Sequence, residues 1–200
     1  MKAIIKDSFI LFAITIISGF LLGWVYDITK EPIEKQKQIA KEKACSVVFE
    51  DAGGFDTVDL ASFTGKTSFA GGDVEEVLAA RGSAGEQLGY VITVTSHEGY
   101  GGDITFMVGI RNDGTVNAIS FTSISETAGL GMKAKNDEFK TQFNGKNVSA
   151  FVYTKQGAAA ENEIDAISAA TITTSAVTGG VNGALAFFHD NLATGGVVNE

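Results

Sequence analysis

Two hundred residues hold only one cysteine, one proline, one tryptophan and two histidines. A lone Cys45 excludes an intramolecular disulfide. With His97 and His189 as the only histidines, a Cys/His zinc site has too few ligands. Cys45 reads most simply as a small, unreactive buried side chain. Basic residues are also scarce, 15 Lys and Arg against 24 Asp and Glu, for a net charge of −9. That balance argues against nucleic acid as a partner, because phosphate backbones recruit basic faces. One proline beside 24 glycines points to many turns but little disorder. The length suffices for one sizeable domain and an appendage.

Charge is absent altogether from residues 8–26. At about 1.5 Å per residue, a helix there spans roughly 28 Å, close to a bilayer core. Trp24 and Tyr26 close the run, where aromatic rings favour the membrane interface. The run ends Gly-Trp-Val-Tyr-Asp, with no small-residue cleavage site, which favours a retained anchor over a cleaved signal peptide. Lysines are more numerous after the run than before it, which by count keeps the following part inside. Long domains, however, translocate largely regardless of charge. Residues 27–44 carry both signs of charge at helical spacing, with Glu31 and Lys35 four apart, and are expected to kink or restart at Pro32. They read as a solvated spacer.

Residues 53–85 read as irregular, apart from a strand at 74–79. Residues 90–95, 103–110 and 115–122 alternate as strands, and Asn112-Asp113-Gly114 marks a hairpin between the last two. An antiparallel sheet follows. Asn136 is placed to cap a helix whose Phe139 and Phe143 share one face. A strand at 151–154 precedes a short strand through Ile164, Ala166 and Ile167, then a hydroxyl-rich turn and a last helix. Thr173, Thr174 and Ser175 are candidate caps for that helix. Its apolar positions Val177, Val181, Ala184, Leu185 and Phe188 recur at helical spacing. A strand, a small-residue turn and a helix start can hold phosphate, since the first helical N–H groups lack partners. The same pattern also suits an ordinary capped helix. Ser168 and Ser175 lack a G-x-S-x-G elbow, so a hydrolase using them with His97 or His189 is disfavoured.

The run Asp165-Ala166-Ile167-Ser168-Ala169-Ala170-Thr171-Ile172-Thr173 resembles the flavinylation motif D-x-x-S/T-G-A-T-x-S/T of extracytoplasmic FMN-binding domains. Gly99-Tyr100-Gly101-Gly102-Asp103-Ile104 resembles that family's G-Y-G-G-x-I turn, and Met107-Val108-Gly109-Ile110 also matches. Glu126-Thr127-Ala128-Gly129-Leu130-Gly131 is similar to its E-T-P-G-L-G loop, with Ala128 replacing Pro. With the anchor and the Thr-Lys-Glu-Pro-Ile run at 29–33, the chain resembles G subunits of Rnf ion-translocating ferredoxin:NAD oxidoreductases. The C subunits of sodium-translocating NADH:quinone reductases share the plan.

The resemblance implies an α+β fold: a transmembrane anchor at 1–28, a charged spacer at 29–45 and an FMN-binding domain at 46–200 with an antiparallel sheet and packed helices. It implies a single-pass protein of the cell membrane, its large domain on the extracytoplasmic side, relaying electrons among the other membrane subunits of the complex. FMN is implied on the Thr171 oxygen through a phosphodiester, placed there by an FAD-dependent flavin transferase that needs magnesium and releases AMP. Asp165, Ser168, Ala170 and Thr174 are the implied surroundings of that link, and Glu126, Thr127, Gly129, Leu130 and Gly131 those of the ring. His97 and Tyr100 are further candidates. Ala169 stands where the family has Gly, a residue used for positive φ or for close approach. Close approach is the expectation here, because the neighbours are kept and Ala is the smallest replacement. The competing reading is a membrane-anchored interaction module without flavin.

Overall fold

The structure is a computed structural model describing residues 2–63 and 67–193. The chain divides into two compact units, Met1–Lys41 and Glu42–Glu200. Helix α1 (Lys2–Val48) supplies the first unit. Its most apolar 18-residue window has a mean hydropathy of 2.2 and is wholly unburied. Phe9, Phe20 and Leu22 stand fully out from it. Among the described residues it is the one helix long and apolar enough to cross a membrane. The expected restart at Pro32 does not occur, because α1 continues through that residue. Proline removes one backbone donor, and the surrounding Glu, Lys and Gln residues are strong helix formers that carry the helix past the gap.

The second unit is organised by a six-stranded sheet. Its strands are β1 (Gly54–Val58), β2 (Ser68–Phe69), β3 (Gly72–Arg81), β4 (Gln87–Ser96), β5 (Ile104–Arg111) and β6 (Val116–Ser123). The order is β1-β3-β4-β5-β6, with β2 also on β3, and every pairing is antiparallel. The β5–β6 hairpin closes at the expected Asn-Asp-Gly turn, where the Arg111 N–H donates to the Thr115 carbonyl (2.8 Å). Residues 53–85 are more regular than expected, since they supply β1, β2 and all ten residues of β3. The expected strand at 74–79 lies within β3, which extends beyond it at both ends, and a register shift between Val74 and Glu76 interrupts its period of two.

Each face of the sheet has its own cover. Ile92, Val94, Phe106, Val108 and Ile110 form the larger core with helix α3 (Thr171–Asn191). All five apolar positions expected on α3 are buried, each worth about 1.5–3 kcal/mol against exposure for a full-sized side chain. Leu78, Val91 and Met107 on the opposite face pack with Ala44, Cys45, Val48 and Phe49. Cys45 is buried, as expected, with Sγ 3.7 Å from the Met107 sulfur.

The one-turn helix α2 (Asp137–Lys140) follows Asn136, whose side chain makes no capping bond. The Asn136 carbonyl instead accepts from the Phe139 and Lys140 N–H groups, each at 3.1 Å. Phe139 and Phe143 share the core, with ring centroids 5.6 Å apart. Strands β7 (Val152–Thr154) and β8 (Glu163–Asp165) form a separate parallel pair. β8 ends at Asp165, so Ala166 and Ile167 belong to the turn into α3 rather than to the strand.

Candidate functional site

The turn after β8 decides where the hydroxyl groups of the 165–174 motif point. Its closing bond runs from the Ala170 N–H to the Ile167 carbonyl (3.0 Å), and its third residue, Ala169, has φ +61°. A turn with positive φ at that position ordinarily takes glycine. Ala169 is the only non-glycine residue with positive φ among those described. Close approach is therefore not the whole reason for a glycine here, contrary to expectation. The backbone itself is left-handed, at a cost of about 1–2 kcal/mol for Ala.

Helix α3 starts at Thr171, three to five residues earlier than candidate caps at Thr173, Thr174 and Ser175 allow. Its cap residue is Ala170, with no side-chain capping bond. The two buried threonines have other tasks. Thr174 Oγ1 donates to the Ala170 carbonyl (2.9 Å) and accepts from the Ile167 N–H (3.1 Å), so it fastens the turn to the helix. Thr173 Oγ1 donates to Glu126 Oε2 (2.9 Å). Thr171, at the first helical position, is half-buried, and among the described residues its hydroxyl has no hydrogen-bond partner. The N–H groups of Thr171, Ile172 and Thr173 have no acceptor within the helix, and the helix dipole favours an anion before them.

A cleft of about 540 Å³ opens at this helix start. One wall is Ala169, Ala170, Thr171, Ile172 and Thr173; the other is Glu126, Thr127, Leu130 and Gly131, with Tyr100 at the rim. The volume falls within the roughly 300–1,000 Å³ usual for small-molecule sites. Tyr100, Ile172 and Leu130 are 71, 51 and 39% exposed, so apolar surface surrounds the mouth. Glu126 is only 8% exposed, and its Oε1 accepts from the Gly101 N–H (3.1 Å). Apolar rim, hydroxyls and free helical N–H groups together suit a flat aromatic ligand that carries a phosphate.

Of the expected site residues, Ala170, Thr171, Glu126, Thr127, Leu130 and Gly131 converge on this cleft. Gly129 lies within the same loop without lining it. Asp165 and Ser168 line a neighbouring groove of about 170 Å³ with Lys133, Asn136 and Gln142. Asp165 Oδ1 accepts from the Ala158 N–H (2.7 Å), and Thr174 is buried behind the turn. Tyr100 joins the cleft, whereas His97 sits between Asp103 (Nδ1–Oδ1, 2.9 Å) and Asp73 (Nε2–Oδ2, 3.1 Å). These two hydrogen bonds, the one to Asp103 first, hold the His97 pKa above its ordinary value. The hydrogen bond to His97 holds Asp73 below the usual carboxylate range. Ile172 and Thr173 line the cleft as well, beyond the residues expected there. Their place follows from the helix beginning at Thr171.

Comparison with known proteins agrees with this plan. Residues 99–186 match the FMN-binding domain family, and residues 1–48 match the RnfG N-terminal region. The chain is 35% identical over 188 residues to the G subunit of the proton-translocating ferredoxin:NAD(+) oxidoreductase complex of Clostridium ljungdahlii, covering 90% of this chain and 92% of that one. It is 32% identical over 186 residues to the Na(+)-translocating counterpart of Acetobacterium woodii, covering 90% and 89%. In fold it is similar to the crystal structure of the C subunit of the Na(+)-translocating NADH-quinone reductase from Parabacteroides distasonis. That match has a TM-score of 0.58 at 18% identity over 80% of this chain and 95% of the other. By sequence along nearly its whole length, this chain belongs to the family of G subunits of ion-translocating ferredoxin:NAD(+) oxidoreductase complexes.

Proposed function

We propose that the chain is an electron-transfer subunit of a membrane-bound ion-translocating ferredoxin:NAD(+) oxidoreductase, and that it carries FMN on Thr171. The observation that carries this reading is the Thr171 hydroxyl itself. It is unpartnered among the described residues, stands at the start of α3 and faces the 126–131 loop across a cleft of suitable size. FMN, when bound, supplies one- and two-electron redox chemistry. The chain's own residues hold and tune it. The N–H groups of the first turn of α3 stabilise the phosphate charge. Thr127, Leu130, Ile172 and Tyr100, which line the cleft, would hold the ring, the first through its hydroxyl and the others by apolar contact.

Attachment draws on FAD. The Thr171 Oγ–phosphorus bond forms, the pyrophosphate P–O bond breaks, AMP leaves and the hydroxyl proton passes to solvent. A flavin transferase is the partner for that step. We place the domain on the extracytoplasmic side, anchored by the apolar part of α1. There a covalent link makes physical sense, since a reversible site facing dilute FMN loses occupancy by mass action. The other subunits of the complex are the donor and acceptor of electrons.

Intact-mass spectrometry of protein made with and without the transferase tests the reading. The expected result is one added FMN on the native chain and none on Thr171→Ala. A native chain that stays unmodified beside an active transferase would instead favour an anchored module without flavin.

A further inference from the structure

The cleft walls come from three separate stretches, and one side chain touches all of them. Glu126 Oε1 accepts from the Gly101 N–H in the turn that carries Tyr100 (3.1 Å). Its Oε2 accepts from the Thr173 hydroxyl in the first turn of α3 (2.9 Å). Its own backbone opens the loop that carries Thr127 and Leu130. The carboxylate is packed against glycine backbone on two sides. A Cβ at Gly131 would lie 2.5 Å from both Glu126 Oε2 and Thr173 Oγ1. A Cβ at Gly99 would lie 2.9 Å from Oε1 and 2.2 Å from the Gly102 carbonyl. These glycines leave room for the carboxylate beside the Thr173 hydroxyl and the Gly102 carbonyl.

We infer that Glu126 is a positioning residue, which sets the spacing of the cleft walls by joining the Gly101 turn to the first turn of α3. It acts on a bound flavin through Tyr100, Thr127 and Ile172, and this consequence rests on the FMN reading above. The joint itself is a property of the chain alone. Glutamine at this position can keep it, because the amide oxygen accepts from Gly101 and the amide NH2 donates to Thr173 Oγ1. Alanine loses both bonds. Thr173→Val loses only the α3 bond.

Two measurements on the full chain in detergent test the joint. The first is hydrogen exchange at the Gly101 amide, which needs no flavin. Glu126→Ala should speed it on the order of tenfold or more, as expected when a hydrogen bond to a carboxylate is lost. Amides of Val94 and Phe106, in the sheet centre, should stay unchanged. Glu126→Gln and Thr173→Val should keep Gly101 protected. The second is the visible circular dichroism and reduction potential of protein carrying FMN. Both should shift in Glu126→Ala and in Thr173→Val, and return to native values in Glu126→Gln, a pattern that general destabilisation does not produce.

Native Gly101 protection in Glu126→Ala would overturn the inference, and so would an unshifted flavin signal in both altered chains. If Glu126→Ala fails to fold, the Gln and Val variants carry the test through the same two readouts. If the native chain bears no flavin, the functional reading fails, and Gly101 exchange still decides the joint.

Discussion

The two walls of the cleft differ in how their backbones are held. The wall at residues 165–174 is fastened from behind by side chains of its own and of a neighbouring helical turn. Gln142 Oε1 accepts from the Asp165 N–H (2.6 Å), Asp165 holds the Ala158 N–H, and Thr174 holds the Ile167 N–H. The facing wall, at residues 99–102 and 126–131, is fastened at separate points. Glu126 ties it to α3, and His97 ties the base of its turn to Asp73 and Asp103 at the surface. The first wall is tied largely within its own stretch of chain and carries Thr171. The second is tied mainly to residues 24 to 47 positions away in the chain and exposes Tyr100 and Leu130. Local ties fix the shape of the first wall, whereas the longer ties fix where the second wall lies relative to it.

The largest expected effect removes the chemistry and leaves both walls standing. Thr171→Ala should abolish the FMN mass completely while the melting temperature stays near native, since the hydroxyl holds nothing in the fold. Retention of the mass after denaturation would move the attachment point elsewhere.

Next in size is a change behind the wall that carries Thr171. Thr174→Val keeps the shape but leaves the Ile167 N–H unpaired in a buried position, which should cost about 1–3 kcal/mol in denaturant titration. A loss below a few tenths would mean that water or a shift of the turn replaces the hydroxyl.

Ala169→Gly acts on the same turn in the other direction. Relief of the left-handed strain, partly offset by glycine's greater freedom when unfolded, should stabilise the chain by about 0.5–1 kcal/mol. It should also raise the rate of flavinylation in a time course with transferase, FAD and magnesium, without moving the site.

The smallest effect concerns the wall that carries Tyr100. The His97 pKa is raised, so its contribution is complete below the ordinary value of 6.5 and is lost as pH rises through the raised value. The Asp73 pKa is lowered, so its contribution is present above 3.8 and is lost as pH falls through the lowered value. The clamp is therefore fullest between those limits. His97→Gln should lower the melting temperature slightly at mildly acid pH and not at alkaline pH. Equal losses at both would assign His97 a role in packing instead.

Much of the fold is legible in local order. Strands β4 and β5 alternate, and the Asn-Asp-Gly turn names the hairpin of β5 and β6 even though register shifts interrupt that pairing. The buried face of α3 follows from helical spacing. The start of the sheet is harder to read, because β1 and β2 are short and are held as strands by pairing with β3. The start of α3 is obscured by three hydroxyl residues in a row that look like caps, whereas the real cap, Ala170, has no side chain able to announce itself. In the site, Thr171 and the 126–131 loop are named by resemblance. Their facing position across one cleft belongs to the structure, as does the turning of Asp165 and Ser168 toward another groove.

By itself the sequence determined what depends on local order: a charge-free run of membrane length, strands of period two, a helix with one apolar face and a compact set of hydroxyls before it. Tertiary structure alone decided that Glu126 meets Thr173, 47 residues on, and that Ala169 is left-handed. The first depends on how the sheet returns the chain to α3, which no local period records. The second depends on closing a four-residue turn between a strand and a helix whose positions are set by the core, so the backbone adopts the angle that the packing demands.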